Sequence, residues 1–137
     1  MGARADWTVK DMIIGIGIDI VEIARLKASI ERSGKTFLDH VYTLREQQNA
    51  PQNARVRVAY YAGRWAAKEA LAKALKTGIT KDCALREINI SNHEGGYPVV
   101  ELTGHAAETA EKLGVKHWHI SISHEQNYAC AEVLAEG

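Results

Sequence analysis

Cysteine is scarce in this chain, and so is any excess of charge. Cys83 and Cys130 are the only two in 137 residues. They are too few for a disulfide framework and lack C-x-x-C spacing, which fits a reducing cytoplasm. Seventeen lysines and arginines cancel seventeen aspartates and glutamates. No global field therefore draws in nucleic acid or a membrane, and an acidic partner would have to be met by a local patch. No apolar run approaches the length of a membrane span, and the first residues lack the charged-then-apolar layout of a signal peptide. The expectation is a cytoplasmic protein. Repeats, low-complexity segments and internal linkers are missing too, which leaves one domain. At 15.1 kDa such a chain buries roughly two-thirds of its unfolded surface, enough for a core without disulfide or metal staples.

What is present is organised around Tyr60 through Gly78, a run of alanine, leucine, lysine and glutamate that favours helix. At 100° per residue, Gly63, Ala66, Ala67, Ala70 and Ala74 share one smooth side that lets another backbone approach. Tyr61, Trp65, Ala72, Leu75 and the stem of Lys68 gather opposite. A helix apolar on two sides is buried between layers. The strip between them carries Glu69, Lys73 and Lys76, with Glu69 and Lys73 one turn apart as a candidate ion pair. Gly78 is expected as the left-handed cap.

Before this helix, Ile14, Ile16, Ile18 and Ile20 alternate with Gly15, Gly17 and Asp19, the period of a strand. One face is branched aliphatic; the other is bare glycine ending in a carboxylate. Glycine inside a strand marks a close approach of ligand or backbone, here the alanine side of the central helix, a ligand, or both. The Gly-x-Gly is not a dinucleotide fingerprint, because Ile20 replaces the third glycine and Asp19 would repel a phosphate unless a cation lay between. Residues 22–33 read as a helix stopped by Gly34, with Arg25 and Arg32 in a basic row on its outer face. Thr43-Leu44-Arg45-Glu46 has the capping-box pattern, and the long helix starts near Asn53. Later residues give a strand over 87–91, a turn through Gly96-Tyr97-Pro98, a returning strand, a helix capped by Thr103 and stopped by Gly114, and two closing strands. The expected fold is α+β: a long central helix packed on a small, mostly antiparallel sheet. Residues 1–11 are polar and aperiodic and read as an extension ahead of a domain spanning 12–137.

Several residue sets compete for chemistry. Ser121, Ser123, His124 and Asp19 include the types of a hydrolase triad, but no G-x-S-x-G elbow presents a serine. His117 and His119 share a strand face, but no third zinc ligand stands at a recognisable spacing. The helix bearing Lys68 and Lys73 faintly resembles the last helix of a double-stranded-RNA-binding domain. The cancelled charge speaks against it, since such binding draws on counterion release. The remaining set is Asp19, Glu69 and Lys73. Magnesium takes one or two protein carboxylates and fills its other positions with water and phosphate oxygens, and lysine serves phosphate as a point charge. Such a set suits an enzyme acting on a diphosphate.

Gly15-Ile16-Gly17-Ile18-Asp19-Ile20-Val21-Glu22-Ile23, then Gly63-Arg64-Trp65-Ala66-Ala67-Lys68-Glu69-Ala70 with Lys73, closely resemble the holo-[acyl-carrier-protein] synthases, the small bacterial class of 4′-phosphopantetheinyl transferases. The likeness continues through Thr77-Gly78-Ile79, Gly96-Tyr97-Pro98 and Ser121-Ile122-Ser123-His124. The resemblance implies transfer of the phosphopantetheine arm of coenzyme A to a serine of apo-acyl carrier protein, releasing adenosine 3′,5′-bisphosphate, in fatty acid biosynthesis. It further implies that Asp19 and Glu69 hold Mg²⁺, that Lys73 faces the phosphates, and that Glu69 and Lys73 are catalytic. His124 matches a histidine near the coenzyme phosphates, and Gly96 and Pro98 match the turn beside the adenine. Arg25 and Arg32 fall on the helix that grips the acidic carrier. A homotrimer with sites across subunit boundaries is implied as well, with neither nucleic acid nor membrane as partner. Which group takes the serine proton stays open among Glu69, Asp19 and a metal-bound water. The chain departs from the family pattern at Trp65, where phenylalanine is usual, at Leu75-Lys76 in place of Phe-Gly, and over residues 47–57.

Overall fold

Alanine content and a good cap decide where the long helix lies. The computed structural model describes residues 12–137; the expected extension, residues 1–11, lies outside them. Asn53 caps the helix α3 (Ala54–Ala74) by accepting from the backbone N–H groups of Arg55 and Val56 at 3.1 Å each. Around it, in chain order, come strand β1 (Ile13–Glu22), helix α1 (Ile23–Val41) and short helix α2 (Leu44–Gln48) before it. A 3-10 turn (Leu85–Glu87), the strands β2 (Ile88–Asn92) and β3 (Pro98–Leu102), helix α4 (Gly104–Leu113) and the strands β4 (His117–His124) and β5 (Tyr128–Glu136) follow it. Strands β1, β5 and β4 make one antiparallel sheet in that spatial order, and β2 with β3 make a separate hairpin. The expected α+β architecture is the one found.

The glycine side of β1 packs on the alanine side of α3. A Cβ on Gly17 would collide with the Ala70 carbonyl oxygen, and one on Gly15 with that of Ala74. Backbone thus lies on backbone, and only glycine allows it. This close seating carries Asp19, two residues beyond Gly17, onto the surface of α3. Register places Ala135, Val133, Ala131 and Ala129 of β5 on the same inner face as Gly15, Gly17, Asp19 and Val21, with Trp118, Ile120, Ile122 and His124 of β4 alongside. Val133 is fully buried, and Trp118, Ile120 and Ile122 pack against the core. The uncovered apolar surface lies on the other face of the sheet, where Ile16, Ile18 and Ile20 are 60%, 63% and 66% exposed.

Four local features differ from the sequence expectation. Gly34 does not stop α1. It breaks it, at φ 52° and ψ −129°, and helix resumes to Val41. The 3-10 turn claims Glu87, so β2 starts one residue later than expected. The α4 N-terminus is not capped by the Thr103 side chain. Instead the Glu87 carboxylate accepts from the N–H groups of His105 and Ala106 at 2.8 and 3.2 Å, in space that a side chain at Gly104 would fill. Burial would raise the Glu87 pKa, but these bonds and one from the Ala84 N–H outweigh it and hold the carboxyl below its ordinary range.

The fourth concerns the end of α3. The helix stops at Ala74, and Lys76, not Gly78, takes the first left-handed position, at φ 68°. The N–H groups of Thr77 and Gly78 both return to the Ala72 carbonyl, at 3.2 and 3.1 Å. A left-handed conformation costs a non-glycine residue roughly 1–2 kcal/mol. Lys76→Gly should therefore raise the unfolding free energy, by about 1 kcal/mol after the entropy that glycine loses. An unchanged or lower denaturant midpoint would show that the lysine side chain compensates.

Candidate active site

At the junction of β1 and α3 the two backbones are too close to admit side chains, so polar groups collect at its edge. Asp19 leaves the glycine face of β1 with its side chain 17% exposed. Glu69 and Lys73 rise from α3 on the strip left free by its two apolar sides. The Lys73 ammonium donates to the Ile18 carbonyl at 2.8 Å and to Asp19 Oδ1 at 3.2 Å. The candidate ion pair within α3, Glu69 with Lys73, is thus replaced by one between helix and strand. The reason is reach: close seating of β1 brings Asp19 and the Ile18 carbonyl to the lysine tip. Burial, and after it the negative charge of Asp19, push the Glu69 carboxyl above its ordinary range, while Lys73 pulls it partly back.

Two carboxylates close enough that the charge of one raises the proton affinity of Glu69 make a place where a cation is favoured. Among the described residues no third histidine, cysteine or carboxylate joins them. That donor set fits magnesium, which keeps positions for water and phosphate, and does not fit a closed structural zinc site. Asp19 also lines a cavity of about 200 Å³ with Arg25, Phe37 and Trp65. Arg25, from the first turn of α1, therefore lines the same recess as Asp19, while Glu69 and Lys73 do not line it. Arg32 is exposed further along α1, beside Ser29, and does not line that recess.

The remaining candidates lie elsewhere. His124 ends β4 at the register of Val21, two strands across from β1, and lines a different cavity of about 520 Å³ with Ile23, Arg55 and Val56. Gly96, at φ 91°, sits in the β2–β3 turn, and Pro98 opens β3 opposite Asn92. Asp19, Glu69 and Lys73 are thus brought together within one chain and Arg25 borders Asp19, while His124 is not brought to them.

Arg64 is a residue that sequence reasoning passed over. Its Nη2 donates to Asn92 Oδ1 at 3.0 Å, and the guanidinium lies 4.1 Å above the Tyr60 ring centroid. Its Nε is buried without a partner among the described residues. It lines a cavity of about 360 Å³ with Arg45, Asn49 and Asn92. The available signal was a charged side chain set among small residues of a helix buried on two sides. Lys68 sends the opposite message. It is wholly buried and donates to the carbonyls of Val41, Leu85 and Ile88, so it cannot meet a nucleic-acid phosphate. The RNA-binding alternative loses half of its residues.

A family-wide sequence pattern matches residues 15–133, and that family is the 4′-phosphopantetheinyl transferase superfamily. The chain belongs to it. Among curated relatives, the holo-[acyl-carrier-protein] synthase of Edwardsiella ictaluri is 46% identical over 125 residues, covering 91% of this chain and 98% of the relative. That of Hydrogenovibrio crunogenus is 42% identical with the same coverage. Among solved structures, holo-[acyl-carrier-protein] synthase of Neisseria meningitidis superposes with a TM-score of 0.85 at 35% identity, covering 92% of this chain and 100% of the other. The Helicobacter pylori synthase, solved in complex with coenzyme A, gives a TM-score of 0.78 at 31% identity over 88% of this chain and 99% of the other.

In a phosphopantetheinyl transferase fold, Lys73 is half exposed, and surface ion pairs of this kind add little stability. Lys73→Ala should lower the transfer rate by roughly a hundredfold or more, the usual consequence of losing one preorganised donor, with the melting temperature nearly unchanged. A large fall in melting temperature would instead make the Asp19 pair a structural clamp.

Proposed function

We propose that this chain transfers the 4′-phosphopantetheine group of coenzyme A to a serine of apo-acyl carrier protein and releases adenosine 3′,5′-bisphosphate, in the cytoplasm and for fatty acid biosynthesis. The observation that carries this reading is the meeting of Asp19, Glu69 and Lys73 at the edge of a backbone-on-backbone contact. Phosphoryl transfer asks a protein mainly for positioning and charge stabilisation, and these three side chains can supply both. Asp19 and Glu69 would hold Mg²⁺, which supplies neutralisation of the diphosphate charge. Lys73 exchanges the Ile18 carbonyl and Asp19 for a phosphate oxygen, so its positive charge faces the group being transferred. The serine proton would pass to Glu69, to Asp19 or to a water held by the metal.

Substrate roles follow from position. Arg25 borders the recess that holds Asp19, so a carrier gripped there would present its serine to the reacting phosphate. Arg32, exposed on the same helix before the Gly34 break, extends the grip. Gly96, Pro98 and Arg64 would take the nucleotide end of coenzyme A. The placement of His124 in a separate cavity of its own chain supports a homotrimer in which His124 serves a neighbouring site. The exposed isoleucine face of β1 supports assembly as well.

Incubation with coenzyme A, Mg²⁺ and an apo carrier protein, followed by intact-mass analysis, tests the reading directly. A gain of one phosphopantetheine is expected, and no gain across several carriers would defeat it. Arg25→Glu should raise KM for the carrier and spare that for coenzyme A, because charge complementarity acts mainly on encounter. Equal effects on both substrates would remove Arg25 from carrier docking.

Shared sites make a separate prediction. Chains carrying Asp19→Ala and chains carrying His124→Ala, each inactive alone, should regain activity when mixed and allowed to exchange subunits. Proven exchange without recovered activity would place every site within one chain.

A further inference from the structure

Glu46 and Lys68 carry buried charges that the reaction as proposed leaves unused. Among the described residues no other charged side chain is buried. Lys68 leaves α3 to pair with Glu46 of α2, and it also donates to backbone carbonyls of α1, the 3-10 turn and β2. Glu46 spends its second oxygen on the Ile90 N–H of β2, at 2.7 Å, and its own carbonyl accepts from the Tyr60 hydroxyl of α3 at 2.6 Å. Helix α3 is thus tied to α2 at Tyr60 and again at Lys68, about two turns further on.

Stability alone does not call for such a pair. Apolar side chains of like volume often serve a core as well as a buried ion pair does, or better. What the pair adds is direction, and direction is what the other contact of α3 has little of. Its seating on β1 is glycine on alanine, backbone against backbone, with few side chains to interlock. An ammonium whose acceptors lie on four segments admits one rotation of the helix. Glu69 follows Lys68 about 100° round the axis, and Lys73 stands one turn beyond Glu69. A rotation that strained Lys68 would therefore swing Glu69 away from Asp19 and the Lys73 tip away from the Ile18 carbonyl.

We propose that Glu46, acting through Lys68, is a positioning residue for the transfer: it fixes the rotation of α3, and so the aim of Glu69 at the metal and of Lys73 at the diphosphate. The inference rests on the transferase reading given above. Glu46 itself touches neither substrate nor metal. Its effect is read on the residues that do.

Measurements on the full chain test it. Glu46→Gln keeps the shape of the side chain and removes the charge that orients Lys68. Assayed well below its melting temperature, this variant should lose roughly tenfold or more in kcat, the scale on which groups that hold a metal-binding residue act. The carrier KM should stay within about twofold of wild type, because Arg25 and Arg32 are untouched. Calorimetric titration with Mg²⁺ in the presence of coenzyme A should show affinity weakened roughly tenfold. Leu113→Ala, which opens a cavity under α4, controls for stability alone: it should lower the melting temperature and keep both kcat and Mg²⁺ affinity. Glu46→Asp keeps the charge on a shorter arm, should show the same losses in smaller measure, and decides the matter where the glutamine variant does not fold. Wild-type kcat and Mg²⁺ affinity in a folded Glu46 variant, or equal losses in Leu113→Ala, would make the pair a structural tie only and overturn the positioning role. Wild-type protein that takes up no Mg²⁺ would overturn it as well. If wild-type protein modifies no carrier, the transferase reading fails by its own mass assay. The Mg²⁺ titration needs no carrier, and it then still decides whether Glu46 positions Glu69.

Discussion

One buried charge fixes the parts of this molecule against one another. The Lys68 ammonium is fully buried, 2.7 Å from Glu46 Oε1, and donates to the carbonyls of Val41, Leu85 and Ile88 at 2.9, 3.0 and 2.7 Å. Those acceptors belong to the end of α1, the 3-10 turn and the start of β2. Glu46 is equally committed: it accepts from the Thr43 N–H in its own capping box and from the Ile90 N–H in β2. Burial drives the Lys68 pKa down, and Glu46 pulls it partly back up. Taking two charges out of water costs several kcal/mol each, which such a pair recovers only when every donor and acceptor is occupied. Here the donors and acceptors are occupied from four directions at once, so the elements around α3 have little freedom to slide. Glu69 is the next residue on the helix. Its direction toward Asp19 is set by where Lys68 is anchored.

The same arrangement explains how much could be read in advance. The glycine alternation of β1 and the alanine side of α3 are complementary patterns, and each predicts a partner of the other's shape. The capping box at Thr43 and the Asn53 cap are local hydrogen-bond motifs, and they formed where their sequences stand. The meeting of Asp19, Glu69 and Lys73 was legible because a strand of period two and a helix of period 3.6 each leave one polar strip at the shared edge. What escaped notice depended on groups far apart in the chain. Thr103 has a good capping side chain, but the Glu87 carboxylate, from the 3-10 turn ahead of the β2–β3 hairpin, reached the α4 N-terminus. Lys68 looked like a stem lying on an apolar surface, and its burial to the tip required carbonyls from three other segments. Gly34 signals a chain that leaves helical geometry, yet nothing local says that a helix follows on the other side.

Arg64 and His124 show the same limit at the candidate site. Arg64 lies in the motif that carries the family likeness, but its unspent Nε depends on where the β2–β3 hairpin folds back. His124 stands beside serines that suggest a hydrolase set in one dimension. In three dimensions the histidine and Asp19 are separated by a whole strand. A list of residue types could not separate those cases, while strand register does so directly.

The isoleucine face of β1 follows from the requirement that built the site. A strand that offers only glycine to its helix can bury little apolar surface on that side, because glycine has no side chain to contribute. Its aliphatic residues must then occupy the opposite face, and Ile16, Ile18 and Ile20 do so largely uncovered. Among the described residues no further layer lies over them. The close backbone contact that brings Asp19 to Glu69 and Lys73 therefore creates, on the reverse side of the same strand, an apolar surface that another copy of the chain can cover. The carboxylate notch and the exposed isoleucine face are two consequences of one alternation in residues 13–22. A substitution that put a side chain at Gly17 would disturb both, lifting Asp19 from α3 and tilting the isoleucines that face outward.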